Sequence, residues 1–313
     1  MMEVAVTGAN GFVGRALTKA LAERGYRARG LVRSTTAGDG VAVGDIGPET
    51  DWTDALSGVD TVIHCAARVH VLRDDAADPL AEFRRVNTEG TRKLAMDACE
   101  RGVSRLVFVS SIKVNGESTQ FDADSATPFR AGDAPAPVDP YGISKWEAES
   151  ALHHVAAESN LEVVVVRPPL VYGPGVGGNF RSMIDIVRRG IPLPLGLVEN
   201  RRSLVALPNL VDLLACCGTH PDAAGETFLV SDDEDLSTPD LVRRLARAMG
   251  KNAHLLPVPP ALLGWIGRLT GQSDKVERLV GSLQVDIGHT RKRLGWSPVM
   301  SVDAGLRQAV AST

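Results

Sequence analysis

Tyr141 and Lys145 stand four residues apart in Tyr141-Gly142-Ile143-Ser144-Lys145. On a helix, positions i and i+4 share one face. An ammonium beside a phenol favours the phenolate and lowers its pKa from about 10. The result is a general acid–base able to work near neutral pH. Such a pair also arises by chance on many helices, so it needs a companion. Ser110 and Ser111 close an apolar run at Arg105–Ser110. A hydroxyl there can hydrogen-bond a substrate hydroxyl or carbonyl and share its proton with the phenol. The plain alternative is a pair of serines capping a turn.

A second group of residues suits a phosphate. Gly8, Gly11 and Gly14 fall between the apolar run Glu3–Thr7 and the amphipathic run Phe12–Glu23. Glycines between a strand and a helix let the backbone approach a pyrophosphate, and the helix start offers free N–H groups. The spacing is G-x-x-G-x-x-G rather than the commoner G-x-G-x-x-G, and a purely structural turn is the competing reading. The next strand ends Gly30-Leu31-Val32-Arg33-Ser34, without the carboxylate that usually binds the ribose of NAD. Arg33 can instead pair with a 2′-phosphate, which favours NADP(H) over NAD(H); a solvent-facing arginine is the alternative. Asp45, in Gly44-Asp45-Ile46, is placed either to bond an adenine amino group or simply to make a turn.

Positioning these groups requires an alternating fold. Strands are expected at Glu3–Thr7, Arg27–Val32, Val41–Val43, Thr61–Cys65, Arg105–Ser110 and Glu162–Val166, with helices near Phe12–Glu23, Pro79–Arg101 and Tyr141–Glu158. Strands apolar throughout that alternate with helices predict an α/β fold, a doubly wound parallel sheet covered on both faces. Gly116–Pro140, rich in Asp, Pro, Ser and Ala, reads as a long surface loop of the kind that often serves function. After Arg167, Gly and Pro crowd 168–178 and 190–196, and Leu241–Met249 and Ala261–Leu269 read as helices of a smaller C-terminal domain. The expected division is 1–172 with about 203–232 for the dinucleotide domain, and about 173–202 with 233–313 for the substrate domain.

Composition narrows the function classes. The 313 residues are 44% hydrophobic and 23% charged, with net charge −4. Nothing there favours nucleic acid or an anionic membrane as partner. No apolar run is long enough to span a bilayer, and the first residues lead straight into a strand, so no signal peptide is expected. Cys65, Cys99, Cys216 and Cys217 make no metal spacing, so no metal is expected. They read as thiols of a reducing, cytoplasmic compartment.

Taken in order, several motifs resemble one family. They are Thr7-Gly8-Ala9-Asn10-Gly11-Phe12-Val13-Gly14, His64-Cys65-Ala66-Ala67, Asn87-Thr88-Glu89-Gly90-Thr91 and Ser110-Ser111. Tyr141-x-x-x-Lys145, Arg167-Pro168-Pro169-Leu170-Val171-Tyr172-Gly173-Pro174-Gly175 and Leu294-Gly295-Trp296 follow. The pattern is similar to the extended short-chain dehydrogenases/reductases that modify nucleotide sugars, and it runs nearly the whole chain. The resemblance implies a Rossmann fold with a smaller C-terminal substrate-binding domain. It implies a catalytic trio of Ser111, Tyr141 and Lys145, with Lys145 also holding the nicotinamide ribose. Gly8, Asn10, Gly11, Phe12, Val13, Gly14, Arg33, Asp45, Ile46, Ala66, Ala67, Asn87 and Pro168 are then expected along the cofactor, with Tyr141 and Lys145. Ser111, Lys113, Asn179 and Arg202 are expected on a UDP-sugar substrate, the last two at its diphosphate. A homodimer through a four-helix bundle of Pro79–Arg101 and Tyr141–Glu158 is implied as well.

Two departures from the family pattern stand out. Ser203 and Leu204 follow Arg202 where Asp and an aromatic are usual, and Asn115 stands where Tyr is usual. The reaction is narrowed by what is missing. Ile112-Lys113 follow the catalytic Ser where 4,6-dehydratases carry Asp-Glu, so dehydration is not expected. Arg33 favours a reductase that consumes NADPH, and the stretches Ser110–Glu117 and Gly281–Asp286 resemble reductases of O-antigen and lipopolysaccharide pathways, which implies NAD(P)H-dependent reduction of a UDP-4-keto-6-deoxy-N-acetylhexosamine to UDP-N-acetylquinovosamine or UDP-N-acetylfucosamine. The alternatives are an NAD-dependent UDP-sugar 4-epimerase and a non-catalytic, cofactor-responsive binding protein.

Overall fold

The computed structural model describes residues 1–35, 40–69, 78–120, 127–271 and 273–312. Seven parallel strands form its main sheet: β1 (Glu3–Thr7), β2 (Arg27–Val32), β3 (Val41–Ala42), β4 (Thr61–His64), β5 (Arg105–Val109), β6 (Glu162–Arg167) and β9 (Thr227–Leu229). Their order is β3-β2-β1-β4-β5-β6-β9. The chain therefore winds outward from β1 in both directions, and the carboxyl ends of β1 and β4 meet where the winding reverses. This is the doubly wound arrangement expected from the alternating pattern.

The two-residue period of each strand decides which helices cover it. Val4, Val6, Ile63, Val107, Val164 and Val166 point to one face. They pack against α1 (Phe12–Glu23) and α6 (Leu207–Thr219) through Leu17, Leu21, Leu210 and Leu214. Ala5, Val62, Leu106, Phe108, Val163 and Val165 point the other way, onto Leu94, Ala98, Ala148 and Leu152 of α3 (Gly90–Glu100) and α4 (Pro140–Ala157). Both faces of β1, β4, β5 and β6 are covered, so these strands read as largely apolar runs.

A second layer follows β6. Strands β7 (Leu170–Tyr172) and β8 (Leu204–Ala206) pair in parallel apart from the main sheet. They share a core with α5 (Gly178–Arg188), α7 (Thr238–Ala248) and α11 (Val302–Ala311). Helices α8 (Pro260–Leu269) and α9 (Ser273–Val280) form a hairpin over Leu195 and Val198. Helix α10 (Gly288–Leu294) ends at Gly295, which takes the left-handed conformation at φ 59°.

Two expectations need correction, and a third gains detail. Pro79–Arg101 is not one regular helix: α2 (Pro79–Phe83) and α3 flank a π-helical turn at Arg84–Glu89. Such turns concentrate at functional sites, and this one carries Asn87. The strands expected to reach Cys65 and Ser110 stop at His64 and Val109. The described residues of Gly116–Pro140 form the expected surface loop, and backbone contacts pin it to the C-terminal segment. Phe129 bridges Val285, Thr119 N–H donates to Ser282, and Phe129 N–H donates to Gln284. Residues 121–126 of that stretch lie outside the described residues.

Candidate active site

The glycine segment is built for close approach. Gly8 sits at φ +64°, and a Cβ there would stand 3.0 Å from the Ala66 backbone. A Cβ at Gly14 would lie 2.2 Å from the Gly8 carbonyl oxygen. Gly11 N–H donates to that same oxygen at 2.8 Å. Gly11 begins α1 with no side-chain cap, and the first turn carries no acid. A helix start left open, with its dipole unopposed, is a ready anion site. Asn10, Phe12 and Val13 lie within this turn. The floor beside it is fixed by a buried relay. Thr7 Oγ1 bonds His64 Nδ1 at 2.6 Å, Ala66 N–H donates to Thr7 Oγ1, and His64 Nε2 meets Thr91 Oγ1 at 3.0 Å. Burial pushes the His64 pKa down to about 3, so the ring is neutral and serves the relay.

Asn87 fixes the next segment. Its Nδ2 donates to Arg68 O and Ser144 Oγ, and its Oδ1 accepts from Arg68 N–H at 2.8 Å. The stretch with Ala66 and Ala67 is thus pinned between β4 and α4. Ile46 packs on α3, close enough that a Cβ at Gly90 would stand 2.6 Å from it. Farther out, Arg33 and Asp45, both exposed, form an ion pair with Nε–Oδ1 at 2.9 Å. Asp45 thus lies beside Arg33.

At the carboxyl end of β5 the catalytic candidates converge. Ser111 is extended (φ −155°) and its Oγ accepts from Lys113 N–H. The same Ser111 hydroxyl acts on the Tyr141 phenol and lowers its pKa. Ile112 N–H donates to Pro168 O at 3.0 Å, which brings Pro168 beside Ser111. Lys145 is buried, its Nζ 4.1 Å from the centre of the Phe108 ring. Burial pushes the Lys145 pKa down to about 7, against the pull of Glu149 and Cys65. Tyr141 does not follow expectation. Its pKa is pushed up to about 12, first by burial and then by the Asp139 carboxylate, with only the Ser111 hydrogen bond lowering it. The Lys145 ammonium is not what sets the phenol here.

Several partners went unread in the sequence. Glu149, one turn beyond Lys145, is fully buried and accepts from Ser110 Oγ and from Arg167 Nε and Nη2. The series Tyr141, Lys145, Glu149 keeps the i, i+4 spacing and was a readable signal. Asn115, one of the departures, accepts from Arg167 and donates to Arg130 O, tying the long loop to β6. Asp139 caps α4 through Gly142 N–H at 2.7 Å and also takes the ammonium of Lys113. Lys113, expected on substrate, is held by Asp139 and by Glu117 at 2.8 Å.

Arg202 is reached through Glu117, whose charge acts on it against the downward push of burial. Its Nη1 donates to Arg278 O and Gly281 O. Ser203, the second departure, donates to Asp235, so a carboxylate arrives from another part of the chain. Asn179 is exposed in the first turn of α5. The preceding loop passes over α1: a Cβ at Gly175 would stand 3.7 Å from Arg15 Nη2. Ser111, Tyr141, Asn87, Lys145 and Pro168 thus cluster around the ends of β5 and α4, with Lys113 paired to Glu117 beside them and the Glu117 charge felt at Arg202.

Residues 4–231 match the model of the NAD dependent epimerase/dehydratase family. The chain belongs to that family. A UDP-glucose 4-epimerase from Vibrio cholerae is 47% identical over 310 residues, covering 97% of this chain and 93% of that protein. An N-acetyl-alpha-D-glucosaminyl-diphospho-ditrans,octacis-undecaprenol 4-epimerase from Escherichia coli is 27% identical over 298 residues, covering 90% and 87%. The solved UDP-glucuronic acid 4-epimerase from Bacillus cereus in complex with NAD shares the fold, with a TM-score of 0.78 over 99% of this chain and 96% of that one, at 20% identity.

Proposed function

We propose that this protein is a UDP-sugar 4-epimerase that keeps and reuses one bound nicotinamide dinucleotide. The observation that carries this reading is the 47% identity, over nearly the whole of both chains, to a UDP-glucose 4-epimerase. It displaces the ketosugar reduction that Arg33 and Ser110–Glu117 favoured in the sequence.

The residues present fit a dinucleotide. The Gly8–Gly11–Gly14 cradle would be filled by any Cβ, and the open start of α1 suits its pyrophosphate. Asn10, Phe12, Val13, Ile46, Ala66, Ala67, Asn87 and Pro168 would line it, with Lys145 at the ribose. When bound, it supplies a reversible hydride acceptor. The chain's own part is proton handling and placement. Tyr141 Oη takes the proton of the sugar C4 hydroxyl and later returns one. Ser111 Oγ hydrogen-bonds the same oxygen and steadies the phenol. Lys145, with its pKa pushed down to about 7, carries its charge toward the bound dinucleotide rather than the phenol, and Glu149 favours that charge. Asn179 and Arg202 would hold the diphosphate, so binding energy far from C4 orients the sugar.

Reduction of a 4-keto sugar stays as the second reading because the end of β2 offers Arg33 and no carboxylate. Asp45 weakens it, since it already satisfies Arg33. The helices assigned to a homodimer bundle lie side by side, with Arg84 forked onto Glu147, and Met96 exposed on the outer side.

The test is to mix the purified protein with UDP-glucose, then UDP-N-acetylglucosamine, and follow the C4 proton by NMR. Appearance of the C4 epimer, lost in Tyr141→Phe, supports the proposal. A protein that epimerises neither sugar contradicts it.

A further inference from the structure

Three side chains between β4 and α3 converge on the start of α4, the helix that carries Tyr141. Phe83 ends α2 and is 5% exposed. Its ring meets the Tyr141 ring edge to face, with centroids 6.1 Å apart and planes at 66°. Asn87 Nδ2 donates to Ser144 Oγ, and Thr88 Oγ1 donates to Ser144 O, both at 3.0 Å. Ser144 Oγ in turn donates to Tyr141 O at 2.8 Å. The grip on Ser144 therefore passes to the backbone of Tyr141.

The π-helical turn explains how one short stretch supplies all three contacts. In an α-helix, positions i and i+4 share a face, and i+5 has turned away. Where backbone bonds run from i to i+5, each turn takes in one more residue, and i+5 comes back over i. Arg84–Glu89 is such a turn. Phe83 at i, Asn87 at i+4 and Thr88 at i+5 therefore all face α4. A regular helix would turn Thr88 aside.

Phe83 is itself held. The Arg68 guanidinium lies over its ring, 5.5 Å from the centre, as a cation sits on the negative face of an aromatic ring. Arg68 is pinned through its backbone, its N–H donating to Asn87 Oδ1 and its carbonyl accepting from Asn87 Nδ2. Tyr141 needs such outside support. It is the second residue of α4, and a side chain there has no preceding helical turn to lie on. Phe83 supplies the surface that the helix lacks.

We propose that Phe83 is a positioning residue for Tyr141, holding the phenol ring at the angle that sets Oη beside Ser111 and the sugar C4 oxygen. It acts through the ring it supports, not on the reacting atoms. The inference rests on Tyr141 as the group that moves the proton, which the epimerase and ketosugar-reductase readings share.

The test combines NMR and kinetics on the same variants of the full-length protein. The chain has three tyrosines, Tyr26, Tyr141 and Tyr172. Carbon-13 labelling of their rings gives three Cζ signals, and Tyr141→Phe identifies the one that matters. In Phe83→Leu the Tyr141 signal is expected to move, with those of Tyr26 and Tyr172 in place. The kcat with UDP-glucose is expected to fall at least about tenfold, as misplacing a reacting group costs, with KM and NAD binding nearly unchanged. Phe83→Tyr, which keeps the ring, is expected to recover most of kcat. Where Phe83→Leu does not fold, Arg68→Met removes the cation above the ring and is expected to move the Tyr141 signal by less. The proposal is overturned if the Tyr141 signal stays in place in these variants, or if Phe83→Tyr is as slow as Phe83→Leu. It is overturned too if KM, NAD binding and the Tyr172 signal all change along with kcat, since Phe83 would then merely hold the fold. A wild type that epimerises neither UDP-glucose nor UDP-N-acetylglucosamine contradicts the proposed function instead, and the Tyr141 signal still decides the role of Phe83.

Discussion

Lys113 and Asp139 are joined by a salt bridge at the start of the helix that carries Tyr141. Asp139 has two tasks there, capping α4 and receiving the ammonium. Its negative charge also raises the Tyr141 pKa. The bridge therefore couples a residue two beyond Ser111 to the proton affinity of the proposed base.

Asp139→Asn separates these tasks, because Asn caps a helix as well as Asp does. Removing the carboxylate charge should lower the Tyr141 pKa by about one unit. Since the phenolate is the base, the rising limb of kcat against pH should move to lower pH. Lys113→Met should move it the other way, by leaving Asp139 unopposed. Unmoved profiles in both variants would mean that the bridge does not act on the phenol.

Glu149 and Arg167 form a buried ion pair, with Nη2–Oε2 at 2.6 Å. Replacing Glu149 by Gln strands the guanidinium among apolar strands. A loss of about 3–5 kcal/mol of stability is expected, read from urea unfolding. Arg167→Met/Glu149→Leu together should recover much of it, since no lone charge remains.

Lys145 makes stability depend on pH in a defined window. Its folded pKa, about 7, lies below the unfolded value of 10.5. Between these values the unfolded chain binds more protons, so stability rises with pH. Cys65, pushed up to about 12 from 9.0, opposes this above pH 9. The clean comparison is wild type against Lys145→Met from pH 7 to 9. The rise should flatten in the variant, and equal slopes would rule out a depressed Lys145.

The second reading assigns Arg33, paired with Asp45, to the 2′-phosphate of NADPH. Asp45→Ala should free Arg33 and strengthen NADPH binding relative to NADH. Arg33→Ala should weaken NADPH by about tenfold, the loss of one charge-assisted bond, with NADH little changed. Titration of the two cofactors by fluorescence measures both ratios.

Local pattern carried most of the fold. The runs at Glu3–Thr7, Arg27–Val32 and Phe12–Glu23 took the bounds their apolar spacing predicted. Thr227–Leu229 did not stand out, because three residues give no period and its place beside β6 is a tertiary fact. The same division holds in the site. Tyr141, Lys145 and Ser111 share local motifs, whereas Asn115 with Arg167 and Ser203 with Asp235 pair across 52 and 32 residues. The phenol's raised pKa was hidden for the same reason: burial and Asp139 act through the folded surroundings, and the i, i+4 spacing shows only Lys145.

One measurement tests the central claim most directly. The protein is incubated with UDP-glucose and no added cofactor, and the C4 epimer is followed together with reduced-nicotinamide absorbance. The account predicts many turnovers of epimer per protein with no net change in absorbance. It is contradicted if no epimer forms and NADPH is instead oxidised in step with added UDP-4-keto-6-deoxy-N-acetylglucosamine.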